Sequence, residues 1–164
     1  MIDAGHYDEY DELKTAIEEI VSVDKIDYVL LTHLHYDHVG CIELFENAQI
    51  FAATEEIEDY QNGAKEFHYF AGEEQDTILW ERLEKLPKEI LGLEILKVPG
   101  HTRGCVAFLD RRRKLLFSGD TIFAGEIIGR TDLPNSLPEQ MNWSVETLRK
   151  LEREGFRVLA GHGY

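Results

Sequence analysis

The stretch that decides the fold is Thr32-His33-Leu34-His35-Tyr36-Asp37-His38-Val39-Gly40. It follows the apolar run Tyr28 to Leu31, which has the composition of a buried β-strand. Three imidazoles and one carboxylate fall within six positions. His33 and His35 are one residue apart, so both rings can point to the same side, whereas the adjacent Asp37 and His38 diverge and suit a second ion. Because open α/β folds place their chemistry directly after buried strands, the stretch indicates a metal site.

The composition of the chain is that of a globular protein. Of its 164 residues, 43% are hydrophobic and 30% are charged, so we interpret residues 1–164 as one domain with a substantial core. No apolar stretch approaches the ~20 residues that a membrane span needs, which excludes a membrane protein of that kind. The formal net charge of −15 argues against nucleic acid or an anionic membrane as a partner.

The number of cysteines indicates the cellular compartment in which the protein is expected. The chain has two cysteines, Cys41 and Cys105, which do not make a disulfide framework. Its N-terminus does not resemble a signal peptide, so we predict a reduced, cytoplasmic protein. We interpret each cysteine as a small buried residue rather than a metal ligand.

Strands alternate with helices along the chain, which predicts an α/β layered fold. Helical spacing of apolar residues predicts helices over residues 8–22 and 138–154, a short helical stretch over 41–46, and a helix that starts at Thr54. After the strand end at residues 1–5, strands are predicted over residues 28–31, 48–53, 93–98, 105–109, 114–117 and 157–160. Arg111-Arg112-Arg113 is interpreted as the solvated tip of a hairpin.

Residues 54–88 differ from the rest of the chain in being acidic, aromatic and interrupted by glycines. They predict helices with loose connections. Two interpretations of the aromatic residues stay open, namely a lid over the site and ordinary packing against the sheet. His68 is expected on the surface and not among the metal ligands.

Three later positions share one context, in which a strand ends, a glycine follows and a ligating residue comes next. They are Pro99-Gly100-His101, Ser118-Gly119-Asp120 and Ala160-Gly161-His162. A single His or Asp after a strand is a common turn residue and carries little information. All three in a chain that also holds the His33 to His38 cluster form a specific pattern.

On these motifs the sequence resembles the metallo-β-lactamase superfamily over nearly its whole length. The resemblance implies an αββα sandwich with a binuclear metal site at one edge of the two sheets. It implies that His33, His35 and His101 hold a first ion, that Asp37, His38 and His162 hold a second, and that Asp120 bridges them. Asp3 matches an early aspartate that in the family supports the histidine loop from behind the ligands, as ligating imidazoles require.

The donor types indicate the metal and the chemistry. Imidazole and carboxylate ligands without cysteine suit Zn²⁺, Fe or Mn²⁺ at a hydrolytic centre, and we predict two divalent ions with zinc as the first choice. Two ions ~3.5–4 Å apart can share a hydroxide that acts as a nucleophile near neutral pH, and they polarise a substrate carbonyl. Asp37 or Asp120 is the carboxylate expected to handle the proton. Such a centre needs no Ser-His-Asp arrangement.

Within the superfamily the longest match is to glyoxalase II-type thioesterases. It consists of Gly119-Asp-Thr-Ile-Phe-Ala-Gly125 and Gly129-Arg-Thr-Asp-Leu-Pro134. The resemblance implies a metal-dependent hydrolase that acts on a small-molecule acyl substrate, either a thioester or an ester.

Three alternatives stay open. The stretch from His33 to His38 also resembles acyl-homoserine-lactone lactonases, but these usually have a Tyr three residues after the bridging Asp, where this chain has Phe123. Iron-dependent persulfide dioxygenases share Pro99-Gly-His-Thr102 followed by Gly104-Cys105, and bind one iron through a subset of these positions. The remaining alternative is a metal-binding protein without turnover.

The ends of the chain depart from the family pattern. The family normally has strands before the Ile2-Asp3-Ala4-Gly5 segment, and the C-terminal helices that bind glutathione in full-length glyoxalase II would follow His162. Three explanations stay open: a minimal version of the fold, a truncated chain, or edge strands that a partner chain supplies. An unpaired edge is a liability in a monomer, so we predict a homodimer or higher oligomer.

Overall fold

The computed structural model describes residues 1–62 and 81–163, and these residues form two β-sheets. The first sheet contains β1 (Tyr28–Leu30), β2 (Gln49–Ala52) and β3 (Leu83–Lys85), all parallel. The second sheet has the order β4 (Glu89–Ile90), β5 (Leu93–Lys97), β6 (Val106–Asp110), β7 (Leu115–Gly119) and β8 (Arg157–Ala160). It is antiparallel except for the parallel pair β7 and β8.

Four α-helices lie among the described residues. They are α1 (Tyr10–Glu18), α2 (Tyr36–Val39), α3 (Thr54–Gln61) and α4 (Pro138–Arg153). Helix α4 begins with a proline, whose missing N–H costs nothing because the first N–H groups of a helix have no partner within it. Gly155, whose backbone has a φ of 89°, follows the end of this helix. Short 3₁₀ turns cover Tyr7–Glu9, Val23–Lys25 and Ile42–Phe45.

Three apolar layers show that the architecture is an αββα sandwich. Between the two sheets, Leu30 and Phe51 of the first sheet pack in one cluster with Val106 and Phe108 of the second. The alternate residues of the same strands point outward, so that Val29 packs towards Ile17 of α1. On the opposite side, the outward residues of β6 pack against Leu148 of α4. Successive residues of a strand therefore point alternately into the layer between the sheets and into the layer beneath a helix. The predicted fold class is confirmed.

The predicted elements differ from the observed ones in a few places. The helix predicted over residues 8–22 is a 3₁₀ turn followed by α1, which ends at Glu18. Ile20, an apolar residue within the predicted helix, is 87% exposed. The chain turns there because the N–H of Ile20 bonds to the carbonyl of Ile17, three residues back. Strands β3 and β4 were not predicted, since both are too short to show a period in the sequence.

Several smaller predictions from the sequence can be compared with the structure. Ile2 forms a parallel bridge with Leu30, which places the N-terminal strand end beside β1. The three arginines form the turn between β6 and β7, as predicted. Cys41 and Cys105 are both buried, also as predicted. Part of the possible lid over residues 54–88 lies outside the described residues, and so does His68. No described helix has the length and apolar character needed to cross a lipid bilayer.

Candidate metal centre

The candidate ligands come from the ends of strands that lie in both sheets. The loop after β1 carries His33 and His35, and α2 carries Asp37 and His38. His101 lies in the loop after β5, Asp120 follows β7, and His162 follows β8. Two backbone contacts bring these loops together, from Val106 N–H to the Thr32 carbonyl at 3.0 Å and from Gly161 N–H to the Gly119 carbonyl at 3.0 Å.

The first group of donors consists of three buried imidazoles, those of His33, His35 and His101. Nδ1 of His35 lies 3.1 Å from Nε2 of His33 and 2.9 Å from Nε2 of His101. The one-residue spacing of His33 and His35 allows both rings to face the same side. The structure brings them together with the ring of His101, 66 positions after His35.

The remaining nitrogens of two of these rings are held by protein oxygens. Nδ1 of His101 donates to the carbonyl of Arg130 at 2.8 Å. Nδ1 of His33 lies 3.0 Å from Oγ1 of Thr32, whose own hydroxyl donates to Asp3. Each Nδ1 therefore carries the proton, which leaves the lone pair on Nε2 facing the group. This is the arrangement that ligating imidazoles need.

The second group combines carboxylates with imidazoles. Nε2 of His162 lies 3.2 Å from Oδ2 of Asp37 and 3.4 Å from Oδ2 of Asp120. Nε2 of His38 lies 3.2 Å from Oδ1 of Asp120. Donor atoms of Asp37, His38 and His162 all lie within 4.8 Å of one another.

Asp120 faces both groups. Beyond its contacts with the second group, its Oδ2 lies 3.7 Å from Nε2 of His101 in the first. It also forms a compact set with His33 and His38. This position fits the bridging role that the resemblance implies, although metal binding by the seven residues stays a prediction.

The two groups differ in their electrostatics. Burial, together with the neighbouring imidazoles, holds the pKa of His33 well below its ordinary value, and burial lowers the pKa of His101. Burial also acts to lower the pKa of His38, but the charges of Asp3 and Asp120 raise it to about 10. Hydrogen bonds with Asp120 and Asp37 raise the pKa of His162 to about 9. Without an ion, protons supply the positive charge of the second group.

Two observations show that the residues fit a bound cation. Nε2 of His38 and Oδ1 of Asp120 are buried, and within the described parts of the chain neither has a hydrogen bond of acceptable geometry. Gly161 leaves open the space beside them, because a Cβ there would collide with Oδ1 of Asp120 and lie 2.6 Å from Cε1 of His38. A cation would satisfy both donor atoms at once.

Sequence reasoning did not find three groups that support the ligands. They are the hydroxyl of Thr32, the carbonyl of Arg130 and the carboxylate of Glu56, which accepts a hydrogen bond from the N–H of Leu34 at 2.9 Å. The Thr32 position could have been suspected, since it directly precedes His33. A carbonyl and an acid in a distant helix have no local signal. Asp3, by contrast, lies where the resemblance placed it, 2.9 Å from Nδ1 of His38.

The amino-acid sequence is similar to that of known hydrolases. Hydroxyacylglutathione hydrolase GloC of Haemophilus influenzae is 32% identical over 162 residues, which cover 93% of this chain and 76% of that protein. The hydroxyacylglutathione hydrolase of Pseudomonas entomophila is 32% identical over 146 residues, and this chain spans 48% of its length.

The fold is similar to that of a solved structure that contains iron. The crystal structure of TTHA1623 in a di-iron-bound form superposes with a TM-score of 0.74 at 28% identity, and covers 99% of this chain and 81% of that one. The sequence profile of the metallo-beta-lactamase superfamily matches residues 1–162, the stretch that contains all seven candidate ligands. This chain belongs to the metallo-beta-lactamase superfamily.

Proposed function

We propose that the protein is a binuclear metal-dependent hydrolase that cleaves a thioester or ester of a small molecule, with glyoxalase II-like chemistry. The observation that carries the proposal is the position of Asp120, with one carboxylate oxygen 3.2 Å from His38 and the other 3.7 Å from His101. A carboxylate between two donor groups suits a pair of ions better than a single one. The hydroxyacylglutathione hydrolases among its relatives support a thioester as the substrate class.

The residues divide into two sets with one shared member. His33, His35 and His101 would hold one ion, Asp37, His38 and His162 the other, and Asp120 both. Bound divalent ions would polarise the substrate carbonyl and supply a water-derived nucleophile at neutral pH. Zinc is the first choice, with iron or manganese as alternatives, since the same donors suit all three.

The two catalytic carboxylates differ in access to solvent. The Asp37 side chain is 25% exposed, whereas that of Asp120 is 10% exposed. Contact with His162 holds the pKa of Asp37 below its ordinary value despite burial, so the carboxylate is ionised at neutral pH. Asp37 is therefore placed to pass a proton to solvent, and Asp120 to orient the imidazoles that face it.

The phenylalanine at position 123 weighs against a lactonase. Its ring lies 6.1 Å, between centroids, from that of His162, so the side chain borders the second donor group. A tyrosine at this position could donate its hydroxyl to a substrate carbonyl, and phenylalanine cannot.

The completeness of the second group weighs against an iron-dependent persulfide dioxygenase. A one-iron enzyme has no need for Asp37, His38 and His162 as a converging set, and here all three converge. Zinc serves hydrolysis but cannot support dioxygenation, because it does not change oxidation state.

The test is thiol release from an S-acyl substrate by zinc-loaded protein with oxygen excluded. We expect turnover, and we expect Asp37→Asn or His38→Ala to lower the rate at least ~100-fold, the scale of losing a positioned catalytic group. Asp8→Asn, a change at an exposed carboxylate outside the donor groups, is the control. Oxygen uptake with glutathione persulfide by the iron form, without thioester turnover by any metal form, would instead establish the dioxygenase.

A further inference from the structure

Glu56 is a buried acid that the proposed chemistry does not use. It lies in the first turn of α3 and is 3% exposed. It belongs to none of the donor groups described above. A carboxylate is costly to bury unless hydrogen bonds compensate for lost water, so its partners indicate its purpose.

Three donors surround the Glu56 carboxylate. Oε2 accepts from the backbone N–H of Leu34 at 2.9 Å. Oε1 accepts from the Thr102 hydroxyl at 2.6 Å and from the backbone N–H of Gly104 at 2.9 Å. All three bonds are to residues distant in sequence, so they connect separate parts of the fold.

The donors belong to the two loops that carry the first group of imidazoles. Leu34 lies between His33 and His35, while Thr102 directly follows His101. The two oxygens of one carboxylate therefore each hold one ligand loop. The loops come from different sheets, one after β1 and one after β5, and no strand pairing joins those two strands.

Gly104 shows how closely the second loop approaches α3. A Cβ at this position would lie 2.5 Å from the backbone nitrogen of Glu56 and 2.7 Å from its Oε1. Real side chains do not approach that closely, so only glycine allows the hydrogen bond at position 104.

We propose that Glu56 is a positioning residue that ties the His33–His35 loop to the His101 loop and thereby sets the metal affinity of the first donor group. The inference rests on the metal binding that the proposed function requires. It does not depend on the substrate, so measurement of metal affinity tests it even if the proposed reaction is wrong. Glu56 acts through the loops and does not touch the reacting atoms.

An ionised carboxylate suits this position because it accepts on both oxygens. The amide of Glu56→Gln has one acceptor and one donor end. If the oxygen faces Thr102 and Gly104, the amide NH₂ meets the N–H of Leu34. If the side chain flips, the NH₂ meets the N–H of Gly104. In either orientation one loop loses its anchor, while the volume of the side chain hardly changes.

The experiment measures the affinity of the purified protein for Zn²⁺ alone, by competition with a chromophoric chelator. Glu56→Gln should weaken binding about 10–100-fold, the usual effect of losing a group that orients metal ligands. The control is Glu55→Gln, which removes the neighbouring carboxylate, an ion-pair partner of Lys97 at the protein surface, and should bind like the unaltered protein.

Thermal melting of the metal-free variants separates positioning from general stability. A Glu56→Gln protein that folds and binds zinc within twofold of the unaltered chain would overturn the inference, whatever its melting temperature. If Glu56→Gln does not fold, Thr102→Val decides instead, since it removes one donor and keeps the shape. Weaker zinc binding by Thr102→Val that Thr102→Ser restores would support the inference, and unchanged binding would overturn it.

Discussion

Asp3 and His38 lie 35 positions apart in the chain, yet Oδ2 of the aspartate is 2.9 Å from Nδ1 of the imidazole. The same carboxylate accepts from the backbone N–H of Thr32 at 2.8 Å and from its hydroxyl at 2.9 Å. Because Nδ1 of His38 is engaged in this way, its Nε2 is directed towards Asp120. Asp3 therefore orients one candidate ligand directly and supports His33 through Thr32.

The first prediction concerns this aspartate. In Asp3→Asn one carboxylate oxygen becomes an amide donor, so not all three of its contacts can be kept. We expect metal affinity to fall about 10–100-fold, as for other groups that support ligands from behind. Asparagine tolerates the left-handed backbone of Asp3, φ of 52°, so the fold should be retained. Calorimetric metal titration measures the effect, with Asp8→Asn as control; equal affinities for the two variants would contradict the role of Asp3.

The second prediction concerns metal stoichiometry. The unaltered chain should bind two ions. Asp120→Ala should disturb both, since this carboxylate faces both donor groups, whereas His162→Ala should mainly remove the second. Elemental mass spectrometry of protein purified without added metal gives the ratio and the metal. A ratio near one that Asp120→Ala leaves unchanged would defeat the binuclear assignment.

The third prediction concerns the glycine beside the second group. In Gly161→Ala the added methyl group would occupy the space between Asp120 and His38, so these two side chains must move. We expect the second ion to bind weakly, and the metal-free protein to lose about 1–3 kcal/mol of stability through overpacking. Gly163→Ala is the matched control, because a Cβ there meets no described atom within 4 Å. Full metal content in Gly161→Ala would show that the space is not needed.

The fourth prediction concerns the pH dependence of the metal-free protein. Since the pKa values of His38 and His162 are raised from 6.5 to about 10 and about 9, the folded chain holds these protons more tightly than the unfolded chain. Their contribution to stability is therefore full below pH 6.5 and is lost as the pH rises through about 9 and 10.

Denaturant unfolding between pH 6 and pH 10, with chelator present, measures this loss. Metal-loaded protein should show a smaller decline, because an ion replaces the protons, and metal affinity should rise with pH over the same range. The His162→Gln variant should lack the part of this decline that is complete near pH 9. Metal-free stability that is unchanged between pH 6.5 and pH 9 would contradict the prediction.

Local patterns in the sequence predicted most of the fold. The short apolar run over residues 105–109 predicted β6, and the helical spacing of apolar residues over residues 138–154 predicted α4 to within one residue. Helix α4 is long enough to show its period, which is a property of the chain alone. The helix predicted over residues 8–22 extended beyond the end of α1 because it counted the apolar residue Ile20, although that side chain is exposed.

The candidate ligands were also chosen from local sequence patterns. Three glycines that each precede a candidate ligand formed a recognisable pattern, and the structure explains all three. A Cβ at Gly100 would lie 2.8 Å from Cα of Met141. A Cβ at Gly119 would lie 2.7 Å from Oγ1 of Thr32, and one at Gly161 would collide with Asp120. The sequence shows that a glycine precedes each of these ligands, but it does not show which atoms approach the glycine.

Tertiary structure alone decided which groups hold the ligands in place. The carboxylate of Glu56 and the carbonyl of Arg130 contact residues 22 and 29 positions away, distances at which no periodicity survives. The hydroxyl of Thr32 is adjacent in sequence to His33, but its own partner, Asp3, is 29 positions away. Any acid, hydroxyl or carbonyl can accept a hydrogen bond, so residue type does not identify these three. Their roles arise only when the strand ends of the two sheets meet. A hydrogen bond forms only when donor and acceptor lie within about 3 Å of each other, and only the folded chain brings these atoms that close.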